Sequence, residues 1–441
     1  MRVTRRSFFA ASLGACAVPW TSARRHSTIS IDTSALRARI EALSVFGRPP
    51  GGTFASGVSR VAYSDADIAG RKYTIDLMRA AKLEPRIDAA GNILARRAGR
   101  DASAPPIVFG SHIDSVPSGG NFDGDLGSLA ALGVIEALGR AGHTPRHPLE
   151  IAVWSAEEGV AFGRGLAGSR IAAGDYTPAD LTATWNGMTR AEAIRRIGGE
   201  PDRIETAIRS KGAHHCYLEL HIEQGGTLES GRTPIGVVQG IVSIQRYRAV
   251  VTGFANHAGT TPMAERQDAL IAASQLTIAV REIVTSHPGR QVGTVGHLDV
   301  DPNAPNVIPG TVQLTIELRD LSPELLATMA DEIRARAVEI ARTTRTSIDV
   351  TSLGGNPPAL ATDDVQRAIE RAAAARGLES VRMPSGAGHD AQMMAQLGPM
   401  GMIFVPSVGG VSHSPRELTT WEDCANGANV LLSAVLEMDE R

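Results

Sequence analysis

Histidine and carboxylate side chains able to hold a divalent cation recur along this chain, each close behind a short apolar run. His112 and Asp114 follow Ile107-Val108-Phe109, Asp123 sits in Phe122-Asp123-Gly124-Asp125, and Glu157 and Glu158 follow the run that ends at Trp154. His221 lies in Leu220-His221-Ile222-Glu223-Gln224, and His413 in Ser412-His413-Ser414-Pro415. One such residue alone is more often a helix cap or a solvated side chain. Together they offer the imidazole and carboxylate donors that a hard-to-borderline divalent ion needs when thiolates are absent. Thiolates are effectively absent: the three cysteines, Cys16, Cys216 and Cys424, form no CxxC or CxxH spacing, which also argues against a disulfide scaffold. Lys and Arg total 44 against 47 for Asp and Glu, so there is no basic field for nucleic acid and no acidic tail. The expected partner is a small molecule.

What must position these side chains is an open sheet. From about residue 35, strand-like runs alternate with amphipathic helical spacing, the order of a mixed, largely parallel α/β sheet flanked by helices. Ile107-Val108-Phe109 and Leu149 to Trp154 read as buried strands, and Leu126 to Leu138 as a helix. In such sheets the ligand crevice lies beyond the strand C-termini, where the candidates sit. Between about 241 and 354 the order changes. Gln245 to Gly253 reads as a strand, Glu265 to Ser286 as a helix, Gln291 to Val300 and Thr311 to Asp320 as strands, Pro323 to Thr343 as a helix and Ser347 to Leu353 as a strand. That β-α-β-β-α-β order is the ferredoxin-like split unit. The length of 441 residues suits two unequal domains. The expected division is a catalytic metal-binding domain in two parts, 31–240 and 355–441, around an inserted dimerisation or lid domain at 241–354. Gly354-Gly355-Asn356-Pro357-Pro358 would mark the return crossing.

Residues 1–30 are a separate unit. Thr4-Arg5-Arg6-Ser7-Phe8-Phe9 leads into an apolar run from Phe8 to Trp20, a basic segment followed by a hydrophobic one too short to span a bilayer stably. It resembles a twin-arginine export signal, which predicts an exported, periplasmic protein. Leu13-Gly14-Ala15-Cys16 also has the form of a lipoprotein cleavage box, but Cys16 lies inside the apolar run. No later run approaches the roughly eighteen uninterrupted apolar residues of a spanning helix, so the mature chain is expected to have no stable membrane span.

Six segments taken in order carry a resemblance to a known family. They are Gly110-Ser111-His112-Ile113-Asp114-Ser115-Val116, Gly119-Gly120-Asn121-Phe122-Asp123-Gly124, Glu157-Glu158-Gly159, Leu218-Glu219-Leu220-His221-Ile222-Glu223-Gln224-Gly225, Asn256-His257-Ala258-Gly259-Thr260-Thr261-Pro262-Met263 and Ser385-Gly386-Ala387-Gly388-His389-Asp390. The chain resembles the N-carbamoyl-L-amino-acid hydrolase and allantoate amidohydrolase family, within the aminoacylase and carboxypeptidase-like dinuclear metallohydrolases. The resemblance implies two divalent ions per subunit, zinc first, with manganese, cobalt or nickel as alternatives. It implies one ion held by His112, Asp123 and His221 and another by Asp123, Glu158 and His413. Glu157 would be the general base, and Asp114 would steady the His112 imidazole from its second nitrogen. His257 would donate to the developing oxyanion, Asn306 and Arg319 would grip a substrate carboxylate, and Gln224 and His389 would contact the carbamoyl end. In that family His257, Asn306 and Arg319 are expected to reach in from the partner subunit of a homodimer.

One departure is Ala161, in Glu157-Glu158-Gly159-Val160-Ala161-Phe162, where the family commonly has arginine. It leaves the ligands intact and puts the surroundings of the site in doubt. Two other readings compete: an aminoacylase or dipeptidase of the same clan, against which His221 in place of a carboxylate weighs, and a metal-free binding relative, which would have lost ligands that this chain keeps.

Overall fold

The structure, a computed structural model, describes residues 29–441. The export-signal segment lies, apart from its last two positions, outside the described residues. Four parallel strands form the centre of the main sheet: Leu149–Trp154, Ile107–His112, Cys216–Ile222 and Met400–Val405, in that spatial order. All their residues are buried, which is why they read as near-continuous apolar runs. The period of two survives in which core each side chain enters. Ile107, Phe109, Leu149, Ile151, Leu218 and Leu220 join one core, while Val108, Ala152, Trp154 and Tyr217 join the other. Helices Thr33–Leu43, Asp125–Arg140, Asp363–Ala375 and Trp421–Asp439 cover the first face. The short helices Ala167–Ala172 and Asp390–Met394 lie on the second. Antiparallel strands flank the centre, Ile93–Arg97 beside Leu149–Trp154 and Ile235–Ile241 beside Met400–Val405.

A second sheet has four antiparallel strands in the order Val292–Asp301, Thr311–Asp320, Ser243–Thr252 and Ser347–Asn356. Helices Ala269–Ser286 and Pro323–Thr344 pack on one face of it. The chain order is β-α-β-β-α-β. Tyr247, Ala249, Val251, Leu314, Ile316 and Leu318 point to those helices, and the alternate residues Arg246, Arg248, Glu317 and Arg319 stand on the open face. Two boundaries differ from expectation by more than two residues. The first helix begins at Ala269, because the Asp268 carboxylate accepts from the N–H groups of Leu270 and Ile271 and caps it there. The last strand continues through Gly354 and Gly355, paired with Arg246 and Gln245. The crossing therefore falls at Pro357-Pro358, whose missing N–H groups end the ladder.

A buried ion pair ties the N-terminal segment to the rim of the main sheet. Arg60 and Asp125 are each 1% exposed, and a guanidinium nitrogen of Arg60 donates to the Asp125 carboxylate. Arg60 also donates to the carbonyls of Leu43 and Phe46, both at 3.0 Å, and to that of Ile113. Removing one member of such a pair leaves an uncompensated buried charge, typically costing about 3–5 kcal/mol. Arg60→Leu should lower the first urea unfolding transition by a stability change of that size. Arg60→Leu combined with Asp125→Leu should recover much of the loss, and a double variant no better than the single would mean that lost packing, not stranded charge, sets the cost.

Candidate metal centre

Strand ends and the loops behind them bring the candidate ligands to one rim of the main sheet. His112 ends its strand, Glu157 and Glu158 follow Trp154 across Ser155-Ala156, His221 precedes the last residue of its strand, and His413 lies in the loop after Val405. Ligand atoms of His112, Asp123 and His221 all lie within 4.8 Å of one another, and so do those of Asp123, Glu158 and His413. Asp123 divides its two oxygens between these groups. Oδ1 is 3.4 Å from His112 Nε2 and 3.1 Å from His221 Nε2, while Oδ2 is 3.4 Å from His413 Nε2. His413 Nε2 is in turn 3.3 Å from Glu158 Oε2.

The residues fit divalent cations on two grounds. His112 directs Nδ1 at the Asp114 carbonyl at 3.0 Å, and His221 directs Nδ1 at the Ile222 carbonyl at 2.9 Å. Each ring then donates from Nδ1 and turns the lone pair of Nε2 inward, the arrangement a metal-binding imidazole needs. The second ground is charge. Asp114, Asp123 and Glu157 are buried, Glu158 is nearly so, and among the described residues no Lys or Arg pairs with any of the four. Burial, followed by the charge of Asp123, pushes the Glu158 carboxyl up to about 8. Burial likewise raises Glu157 well above the usual carboxylate range. Carboxylates gathered out of water without a guanidinium call for cations.

Asp114 acts differently from expectation. Its carbonyl holds His112, while its carboxylate, 3.9 Å from Nδ1, accepts from the backbone N–H of Glu157 at 3.1 Å and of Glu158 at 3.2 Å. The reason is local. The chain turns sharply after Trp154 through Ala156, at φ 54°, and that turn needs an acceptor for two N–H groups that no strand neighbour takes. Gly124, at φ +67°, lets the backbone pass against His112; a Cβ there would lie 2.4 Å from the ring.

Two further residues escaped the reading of the sequence. Glu417 is buried, and its Oε1 accepts from the N–H groups of Phe122 at 2.9 Å and Asp123 at 3.2 Å. Ser412 Oγ stands within hydrogen-bond distance of both Asp123 Oδ2, at 3.0 Å, and Glu417 Oε2, at 2.8 Å. Glu417 follows His413 closely in sequence, but only the fold carries it under Asp123.

Glu157, Gln224 and His389 line a cavity of about 260 Å³ together with Asp123, Glu158, His221 and His413. Glu157 Oε2 is 3.7 Å from His112 Nε2. Gln224 Nε2 donates to Asp123 Oδ2 at 2.6 Å. The ring of His389 stands edge-on to that of His221, 4.4 Å between centroids, with Nε2 2.9 Å from Ser385 Oγ. Ala161 packs among Ala62, Tyr63 and Ala167 in an apolar cluster, so the arginine expected there is replaced by core packing.

The inserted segment places its three candidates in two locations. His257 and Asn306 are exposed on loops joined by the His257–Val307 bridge and by the Ala258 N–H donating to the Asn306 carbonyl. Neither lines the cavity of its own chain. Arg319 lies against the catalytic part of its own chain: Nη1 donates to the Gly386 carbonyl at 2.6 Å, and the side chain also pairs with Glu317 at 2.7 Å. It stands opposite Val292 at the strand end nearest the Gly386 loop, and that position in the register puts it over its own cleft.

Known proteins resemble this chain over most of its length. The family described as Peptidase family M20/M25/M40 matches residues 108–437. An N-carbamoyl-L-amino acid amidohydrolase of Geobacillus stearothermophilus is 39% identical over 401 residues, covering 91% of this chain and 97% of the relative. The allantoate amidohydrolase of Escherichia coli (strain K12) is 33% identical over 391 residues, covering 88% and 94%. The crystal structure of an amidase of the hydantoinase/carbamoylase family from Burkholderia multivorans superposes with a TM-score of 0.87 at 36% identity, covering 94% of this chain and 99% of that one. Sharing that fold over almost its whole length, and carrying the ligand groups at the rim where the fold gathers them, the chain belongs to peptidase family M20/M25/M40 and to the hydantoinase/carbamoylase amidases within it, as a metal-dependent hydrolase.

Proposed function

We propose that this protein is a homodimeric, dinuclear metal amidohydrolase that cleaves the linear C–N bond of a ureido acid, an N-carbamoyl-L-amino acid or an allantoate-like compound. The observation that carries the reading is the division of Asp123 between two ligand groups, with the carboxylate of Glu157 beside them. The names of the relatives support the substrate class, and the twin-arginine pattern supports export to the periplasm. Divalent ions at these residues, zinc first and otherwise manganese, cobalt or nickel, would supply charge that polarises the scissile carbonyl and acidifies the attacking water.

The chain's own residues do the rest. Glu157 accepts the water's proton on its carboxylate and returns it to the leaving nitrogen. Asp114 holds the backbone of Glu157 and Glu158, so one carboxylate is kept for ligation and its neighbour for proton transfer. Gln224 and His389, on the cavity wall, orient the carbamoyl end. His257 accepts the N–H groups of Gly259 at 2.9 Å and Thr260 at 3.2 Å on Nδ1. Its proton is therefore on Nε2, which leaves an exposed donor of fixed direction. Such a donor suits an oxyanion, where it is commonly worth about 3–4 kcal/mol. Because His257 and Asn306 stand away from their own cavity, they would complete the site of a neighbouring subunit, whereas Arg319 serves the substrate carboxylate in its own.

Purified protein should hold close to two divalent ions per chain and should release ammonia or an amino acid from ureido acids but not from dipeptides or N-acyl amino acids. Turnover confined to the last two classes would reassign the enzyme to an aminoacylase or dipeptidase. Glu157→Gln keeps shape and neighbouring ligands, so metal content should persist while turnover falls by about 10² to 10⁴; unchanged turnover would place the base elsewhere. Mixing Glu157→Gln with His257→Ala under subunit exchange should restore up to about a quarter of wild-type activity, since a random heterodimer holds one intact site. Glu157→Gln mixed with Arg319→Ala should stay inactive, and the reverse pattern would exchange the subunit assignments of His257 and Arg319.

A further inference from the structure

One cation beside the cleft has no part in the chemistry so far. Arg290 lies between helix Ala269–Ser286 and strand Val292–Asp301, and among the described residues it has neither ion pair nor hydrogen bond. The chain around it is anchored. Gln291 is buried and donates from Nε2 to the carbonyls of Val284 at 2.9 Å and His287 at 2.7 Å. Gln291 turns inward, while Val292, the first residue of the strand, stands exposed on the open face. Val292 pairs with Arg319 across the ladder, so the loop residue Arg290, two positions before Val292, lies at the same end of the sheet as Arg319. Arg290 and Arg319 line a single cavity of about 700 Å³, whose apolar wall includes Val242, Met383 and Phe404. Gln224 and Ala387 line both this cavity and the smaller one at the metal ligands, so the two adjoin.

Neither carboxylate near this cavity pairs with Arg290. Glu317 is shared between Arg246 and Arg319, at 2.7 Å from each. Glu223 spends its two oxygens on the N–H groups of Thr227 and Leu228, both at 2.8 Å. A substrate with one carboxylate, held by Arg319, leaves Arg290 facing the rest of that substrate unpaired. We infer that this enzyme selects ureido acids with a second carboxylate on the side chain, the N-carbamoyl derivatives of acidic amino acids, and that Arg290 is the residue that reads it. The inference rests on the ureido-acid function proposed above. Arg319 takes the carboxylate next to the ureido group, the apolar wall carries the methylenes, and Arg290 pairs with the distal carboxylate by charge-assisted hydrogen bonds.

The test compares kcat/KM for N-carbamoyl-L-glutamate with that for N-carbamoyl-L-glutamine, nearly equal in shape but neutral at the distal end. The wild-type enzyme should prefer the glutamate derivative. Arg290→Ala should lower that preference by about ten- to a hundredfold, the range of a hydrogen bond to a charged group, and Arg290→Lys should keep part of it. Because Arg290 is exposed, circular dichroism and metal content should match wild type in both variants. Equal or better turnover of the glutamine derivative, or a preference that survives Arg290→Ala, would overturn the inference and leave the ureido-acid function standing. Hydrolysis of neither compound, nor of N-carbamoyl-glycine or allantoate, would instead overturn the function itself.

Discussion

Asp123 is 8% exposed, yet its carboxylate faces three imidazoles and lies close to the Glu158 carboxylate, while Glu157 stands 3.7 Å from the same His112 ring. Holding so many ionisable groups out of water is costly unless opposite charge is placed among them. The protein offers none from Lys or Arg at this point among the described residues, so a bound divalent cation would serve the cluster's stability and its chemistry alike. Much of the surrounding structure serves to keep these groups from relaxing apart. Four buried parallel strands end on one rim, and their rigidity sets the separation of His112, the Glu157-Glu158 turn, His221 and the His413 loop.

Backbone groups do most of the fine positioning. The carbonyls of Asp114 and Ile222 choose the tautomers of His112 and His221. The carboxylates of Asp114 and Glu417 grip the N–H groups of Glu157, Glu158, Phe122 and Asp123. His112, His221, Asp123 and Glu158 thus depend on main-chain hydrogen bonds inside the protein, where competition from water is small. The Arg60–Asp125 pair extends this support one step further, by fixing the start of the helix that follows Asp123-Gly124.

The second sheet contributes polarity of the opposite sign. Its open face carries Arg246, Arg248 and Arg319, and the loop leading into it carries Arg290. The acid-rich rim and this arginine-bearing face border adjoining cavities that share Gln224 and Ala387. A molecule with an anionic end and a neutral, cleavable end is oriented by that gradient before any specific contact forms.

The sequence alone determined a good deal here. Ligand types at strand ends were legible because buried parallel strands read as apolar runs and the polar residues behind them stand out. The β-α-β-β-α-β segment was legible because its helices and strands keep clean periods of 3.6 and 2, and its limits shifted by more than two residues only where Asp268 caps a helix and Pro357-Pro358 ends a ladder. Other features were decided only by tertiary structure. Glu417 under Asp123, the Asp114 carboxylate on the Glu157-Glu158 turn, Arg319 over its own cleft and Arg290 beside it all depend on how segments far apart in the chain meet. Local periodicity reports which face a side chain takes, but not what stands opposite that face, and a hydrogen bond across hundreds of residues leaves no spacing to read.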